Sequence, residues 1–224
     1  MKAQFVDWGL IDYKQAWDKQ QEIFDACVEY KKDKTGEIPY KIILCEHPHV
    51  YTLGKHGDAN NLLIQDEFMN KINATYYHID RGGDITYHGP GQIVGYPIID
   101  LEEAKLSLKE YIFQMEEAII QTLDYFGIQS SRLQSATGVW LDVGKPTARK
   151  ICAIGVKASR FVTMHGFAFN INTDLNYFSY INPCGFVDKG VTSLASELKT
   201  EQDMEKVKEI LKEKLFQNFK IEAI

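Results

Sequence analysis

Arg81-Gly82-Gly83-Asp84-Ile85-Thr86-Tyr87-His88-Gly89-Pro90-Gly91-Gln92 lies between two apolar, β-branched runs, residues 75–79 and 93–101. Both runs read as strands. The second is interrupted by Gly95 and Pro97, which marks a bend or a close approach to another group. Along the chain strand-rich and helical stretches interleave irregularly, so a strict strand–helix–strand array is disfavoured. The glycines expose backbone amides and let a ligand approach closely, since no Cβ excludes it. A tight turn uses the same residues, and both readings stay open. A phosphate loop is excluded because no glycine precedes Lys-Ser/Thr at the required spacing. Gly89, Gly91 and Gly95 miss the dinucleotide fingerprint by one residue.

Working outward, residues 12–31 place Tyr13, Ala16, Trp17, Gln20, Phe24, Cys27 and Val28 at three- and four-residue spacings, the pattern of an amphipathic helix with Cys27 in its core face. Residues 40–45 and 50–53 read as strands. Ser107 and Glu110 have capping-box spacing, Leu108, Ile112, Met115, Ile119, Leu123 and Phe126 keep helical spacing, and Gly127 supplies a left-handed stop. Residues 139–141, 151–156 and 166–171 read as further strands, Asn182-Pro183-Cys184-Gly185 as a turn, and residues 203–216 as a final helix. No repeat or linker divides the chain. The expectation is one α+β domain over residues 1–224, with a mixed, largely antiparallel sheet and flanking helices.

Composition narrows the function. A net charge of −6 argues against generic nucleic-acid binding, which requires a basic surface. No apolar run is long enough to span a membrane and the N-terminus lacks a signal-peptide core, so a cytoplasmic, soluble protein is expected. Cys27, Cys45, Cys152 and Cys184 form no CxxC pair, which fits a reducing compartment. Residues 145–160 carry Lys145, Arg149, Lys150, Lys157 and Arg160 without an acidic residue: a patch for acidic partners, or a solvated basic edge.

His47, His49, His88 and His165 stand beside small residues, but none forms a metal-ligand spacing, so no metal and no cofactor is expected. His56 and His78 have no distinguishing context. Cys45 and Cys152 sit in apolar runs typical of inert core thiols, whereas Cys184, between proline and glycine, can be presented to a ligand. Strand alternation puts Lys150, Cys152, Ile154 and Val156 on one face. From there the lysine either enters an apolar site, where it would stabilise a nearby thiolate, or snorkels to solvent.

In this order the Arg81–Gln92 stretch, Lys150-Ile151-Cys152-Ala153-Ile154-Gly155, Met164-His165-Gly166-Phe167-Ala168 and Pro183-Cys184-Gly185 resemble the octanoyl-acyl-carrier-protein:protein octanoyltransferases of lipoate synthesis. His47-Pro48-His49, Tyr51-Thr52-Leu53-Gly54 and Gly190-Val191-Thr192-Ser193 extend the resemblance over nearly the whole chain. The resemblance implies the α+β catalytic domain shared with biotin and lipoate ligases. It implies that Cys184 carries the acyl group as a thioester and that Lys150 adjusts its protonation. Arg81, Gly82, Gly83, Asp84, Ile85, Thr86, Tyr87 and His88 would line the acyl site. Ala153, Ile154 and Gly155, with Gly166, Phe167 and Ala168, would contact substrate, and His49, His88 and His165 would be pocket histidines. The donor would be octanoyl-acyl carrier protein. The acceptors would be lipoyl domains of 2-oxoacid dehydrogenase E2 subunits and the glycine cleavage H protein. Cys152 departs from the pattern, where alanine is more familiar.

Two rivals carry different expectations. An ATP-dependent lipoate ligase has a similar Arg-Gly-Gly stretch and lysine but activates a free acid as an adenylate and needs no cysteine at position 184. A silent lipoyl-domain binding module would dock its partner and form no acyl-enzyme.

Overall fold

The computed structural model describes residues 1–134, 136–182 and 190–224. In chain order the elements are β1 (Lys2–Leu10), α1 (Tyr13–Asp33), β2 (Lys41–Glu46), β3 (Val50–Leu53), α2 (Asp66–Lys71), β4 (Thr75–His78), β5 (Ile85–His88), β6 (Gln92–Ile98), α3 (Leu108–Tyr125), β7 (Ser131–Leu133), β8 (Ala136–Leu141), β9 (Arg149–Ser159), β10 (Val162–Asn170), β11 (Gly190–Val191), α4 (Leu194–Leu198), α5 (Met204–Phe219) and β12 (Glu222–Ala223). They form the single α+β domain expected.

The main sheet runs β12-β1-β2-β6-β10-β9-β8-β7, with β11 pairing to β9, and a small sheet runs β4-β3-β5. Pairing is mixed. The centre, β2-β6-β10-β9-β8, is antiparallel, while β1 is parallel to both β2 and β12. In the small sheet, β3 is parallel to β4 and antiparallel to β5.

Local chemistry sets the helix ends. Asp12 caps α1 by accepting from the Gln15 amide, and Cys27 is buried in the face that packs on the sheet. The capping box of α3 is complete: the Glu110 amide donates to Ser107 Oγ at 3.2 Å and the Ser107 amide to Glu110 Oε2 at 2.8 Å. Gly127 follows with φ +74°, a conformation glycine adopts at little steric cost. α3 and α5 cover the sheet together, with Tyr111 stacked on Phe219 at 5.2 Å and its hydroxyl donating to the Pro97 carbonyl. The small sheet has its own core, including Tyr51, Leu53, Ile85, Tyr87 and Ile181. Among the described residues no helix is long and apolar enough to cross a membrane.

Candidate active site

The two sheets meet around a cavity of about 590 Å³, within the range of roughly 300–1,000 Å³ usual for small-molecule sites. Arg81, Gly82, Gly83, Asp84, Ile85, Thr86 and His88 form one wall; Lys150, Ala153, Ile154 and Gly155 from β9 and His165, Gly166, Phe167 and Ala168 from β10 form another. Motifs far apart in sequence therefore share one chamber, because β9 and β10 are adjacent and the Arg81 segment is laid across them. The Gly82 amide donates to the Val156 carbonyl at 2.9 Å. A Cβ on Gly155 would stand 2.8 Å from the Gly82 carbonyl oxygen, so only glycine permits this approach. The glycine-rich stretch divides its labour. Gly82 and Gly83 line the cavity, while Gly89, Pro90 and Gly91 make the turn from β5 to β6, with the Gly91 amide donating to Glu46 Oε2.

One expected wall residue, Tyr87, and one expected pocket histidine, His49, lie elsewhere. Tyr87 alternates away from Thr86 and His88 into the small sheet's core, where its hydroxyl bonds His49 Nδ1 at 2.7 Å. His49 stacks on Tyr177 with ring centres 4.1 Å apart, and burial holds its pKa below the ordinary histidine value. Neither lines the cavity.

The expected shared face of Lys150 and Cys152 is also overturned. β9 carries a bulge at Ile151, so that Trp140 pairs with Lys150 and Val139 with Cys152. Opposed residues in an antiparallel pair share a face, and Val139 and Trp140 are consecutive, so Lys150 and Cys152 point to opposite sides. Lys150 lines the cavity with its Nζ 4.7 Å from the Trp140 ring centre. Cys152 is fully buried in the main core, and burial pushes its thiol well above the ordinary range.

His165 sits at φ +62° within β10, a left-handed conformation that costs about 1–2 kcal/mol outside glycine. Its amide donates to Gln20 Oε1, and its Nε2 is 2.9 Å from Asp80 Oδ1. Burial lowers the His165 pKa against the pull of Asp80, and the His165 hydrogen bond, with Lys157, holds Asp80 well below the usual carboxylate range. A neutral imidazole donating from Nε2 satisfies both. Nδ1 then carries the lone pair, and it has no hydrogen-bond partner among the described residues.

Cys184 lies outside the described residues. The chain on either side is tied to the cavity wall. Ile181 bridges Leu62, the Asn182 amide donates to the Asn61 carbonyl, and Asn61 Nδ2 donates to Asp84 Oδ2 at 2.6 Å. On the other side Gly190 and Val191 pair with Arg149 and Lys150, and the Thr192 amide donates to the Lys150 carbonyl.

The basic run at residues 145–160 does not present a uniform surface. Lys145 and Arg149 both pair with Asp142, Arg149 also holds Glu197 through two nitrogens, and Lys157 pairs with Asp80. Asp142 lies just outside the run, while Glu197 and Asp80 come from distant parts of the chain, which a local charge count does not see.

The cavity wall also contains Tyr13, Val94, Tyr96, Leu108, Ile112 and Trp140, to which the sequence attached no site role. Leu108 and Ile112 are one turn apart on α3, and their apolar spacing was visible; their place at the cavity was not. For Trp140 no local pattern pointed to the lysine opposite.

The profile of the lipoyl protein ligase A/B catalytic domain matches residues 12–216. An octanoyltransferase of Bacteroides thetaiotaomicron is 59% identical over 212 residues, spanning 94% of this chain and 92% of that one. Among solved structures, the bipartite lipoate protein ligase of Thermoplasma acidophilum superposes with a TM-score of 0.71 at 15% identity, covering 100% of this chain and 88% of that chain. The biotin protein ligase of Aquifex aeolicus gives 0.55 at 12% identity, covering 97% and 70%. At these identities the two structural likenesses are likenesses of fold.

Proposed function

Since the chain belongs to the lipoyl protein ligase A/B catalytic-domain family and, within it, to the octanoyltransferases, a group of acyltransferases, we propose that it moves an octanoyl group from octanoyl-acyl carrier protein to a lysine of lipoyl domains through a thioester on Cys184. The acceptors in this reading are E2 subunits of 2-oxoacid dehydrogenases and the glycine cleavage H protein, residues 1–224 act as one catalytic domain, and the reaction takes place in the cytoplasm. The observation that carries it is the cavity itself, which sets a largely apolar wall and the ammonium of Lys150 around one space. Burying the seven aliphatic carbons of an octanoyl chain there contributes roughly 6 kcal/mol, at about 0.8 kcal/mol per carbon.

A free cysteine with a pKa of about 8.5 is roughly 3% thiolate at pH 7; a nearby cation that lowers it by one to two units raises this to roughly 25–75%. In the first half-reaction the Cys184 thiolate attacks the donor thioester, a new C–S bond forms, and the bond to the phosphopantetheine sulfur breaks. Lys150 gives that leaving sulfur its proton. In the second half-reaction neutral Lys150 takes a proton from the acceptor lysine amine as its nitrogen attacks the acyl-enzyme. The amide forms, the Cys184 thiolate departs, and Lys150 is again an ammonium beside it. Arg81–Asp84, Ala153–Gly155 and Gly166–Ala168 hold the chain during both steps.

Intact mass spectrometry after mixing with octanoyl-carrier protein tests the proposal. A hydroxylamine-sensitive octanoyl adduct is expected on the wild type and not on Cys184→Ala. An adduct that persists in Cys184→Ala moves the nucleophile elsewhere. Octanoate with ATP yields product only if the protein works as a ligase through an adenylate, and docking without any adduct identifies a binding module.

A further inference from the structure

From Arg81 and His88 in the cavity wall a chain of buried polar side chains runs to the Thr192 carbonyl. Arg81 Nη2 donates to the Thr52 carbonyl at 2.6 Å and to Thr52 Oγ1 at 3.0 Å. Thr52 Oγ1 lies 3.4 Å from His88 Nε2, and His88 Nδ1 lies 2.9 Å from Gln92 Oε1. Gln92 Nε2 donates to the Tyr87 carbonyl at 3.1 Å and to Asn170 Oδ1 at 2.9 Å, and Asn170 Nδ2 donates to the Thr192 carbonyl at 3.0 Å. Thr52, His88, Gln92 and Asn170 are all buried.

The donors and acceptors along this chain have one consistent assignment. The carbonyls of Tyr87 and Thr192 can only accept, so the Gln92 and Asn170 amide nitrogens must face them. Gln92 Oε1 is then left to His88, which must donate from Nδ1. That makes His88 Nε2 the acceptor for the Thr52 hydroxyl, whose oxygen already accepts from Arg81. His88 is held neutral, since burial drives its pKa well below the ordinary value. Every link points the same way, from Arg81 towards β11. The far end matters because the Thr192 amide donates to the carbonyl of Lys150, and β11 pairs alongside Arg149 and Lys150.

We propose that Gln92 and Asn170 are positioning residues that hold β11 against the Lys150 end of β9 and lock it to the Arg81 side of the cavity. The functional half of this statement rests on the transfer reading given above; the structural half does not. Removing the Asn170 link loosens β11, whose Gly190 and Val191 stand at one edge of the cavity, and leaves the Arg81, β9 and β10 walls built. Transfer should therefore lose turnover, by roughly 10- to 100-fold for lost alignment, while the KM for octanoyl-carrier protein stays within about twofold, as expected when ground-state binding is untouched.

Asn170→Asp is the selective probe, since it still accepts from Gln92 but has no N–H for the Thr192 carbonyl. Asn170→Leu removes both links. Hydrogen exchange read at Gly190 and Thr192, with the paired β9–β10 amides as an internal control, follows β11 independently of activity. In both variants these two amides are expected to exchange faster while the β9–β10 amides stay protected, and kcat should fall with KM retained. Unchanged protection at Gly190 and Thr192, or loosened amides with unchanged kcat, overturns the proposal. A rise in KM equal to the loss in kcat/KM overturns it too, because that places the effect in substrate binding. If the wild type transfers no octanoyl group yet Asn170→Asp loosens β11, the transfer reading fails and the lock stands.

Discussion

Lys150 and Trp140 face one another across β9 and β8, with the lysine Nζ 4.7 Å from the centre of the indole ring. An ammonium over an aromatic face gains about 0.5–2 kcal/mol, and it is held to one position on the cavity wall. Trp140→Leu should keep the fold and lower kcat for octanoyl transfer by roughly 3- to 30-fold. Trp140→Phe, which retains a weaker ring face, should fall between. Lys150→Ala should lose roughly 10²-fold or more with its circular dichroism unchanged. Steady-state assays with octanoyl-carrier protein decide this, and unchanged turnover in Lys150→Ala removes its assigned role.

Cys152 is two residues from Lys150 yet faces the other way, into the core, with its thiol pushed up by burial. Cys152→Ala should keep its acyl adduct and most of its activity, at a stability cost of about 1 kcal/mol for the small void left behind. Peptide mapping of the adduct together with a urea titration checks both parts. Loss of the adduct in this variant makes Cys152 a participant in the chemistry.

Gly155 lies under the Arg81 segment with no room for a side chain. Gly155→Ala pushes on the Gly82 carbonyl and Arg81 Cδ, which a Cβ would approach to 2.8 and 3.2 Å. With about 1 kcal/mol of overpacking strain taken from binding, the donor KM should rise roughly fivefold while the protein remains folded. An unaltered KM means that the segment does not contact the donor.

His47 is buried, with Nδ1 on the Ile11 carbonyl and Nε2 on the Tyr96 hydroxyl, and burial lowers its pKa to about 4 from 6.5. The folded protein keeps this ring neutral while the unfolded chain takes up a proton below pH 6.5. Stability is therefore full above that value and falls with pH until the folded ring also protonates near pH 4. At about 1.4 kcal/mol per pKa unit the loss is roughly 3 kcal/mol. His88 and His165, also lowered by burial, add in the same direction. Urea midpoints at pH 7, 5.5 and 4.5 should fall steadily, and His47→Gln should flatten part of the slope. A midpoint independent of pH over this range contradicts the neutral burial of these rings.

Much of the fold was legible because it rests on interactions within a few residues. Ser107 begins a helix through its own side chain, Gly127 ends it through its backbone freedom, and apolar spacing marked the faces of α1 and α3. β1 was not legible. Its burial follows no clean alternation, and it is a strand because β2 and β12 pair with it on either side. The candidate site divided in the same way. The residue types and their order pointed to Lys150, Arg81–Asp84 and the β9 and β10 segments, which the fold gathers around one cavity.

By itself, then, the sequence determined α1, α3 and α5, the central strands and the set of motifs carried in one chain, since these depend on local hydrogen bonding and periodicity; the short helices α2 and α4 it did not mark. The tertiary structure alone decided which side chains share a face. A single extra residue at Ile151 turns Lys150 towards Trp140 and Cys152 into the core, and alternation puts Tyr87 beside His49 instead of at the cavity. Strand register is set by partners far away in sequence, and a one-residue shift reverses every side chain beyond it.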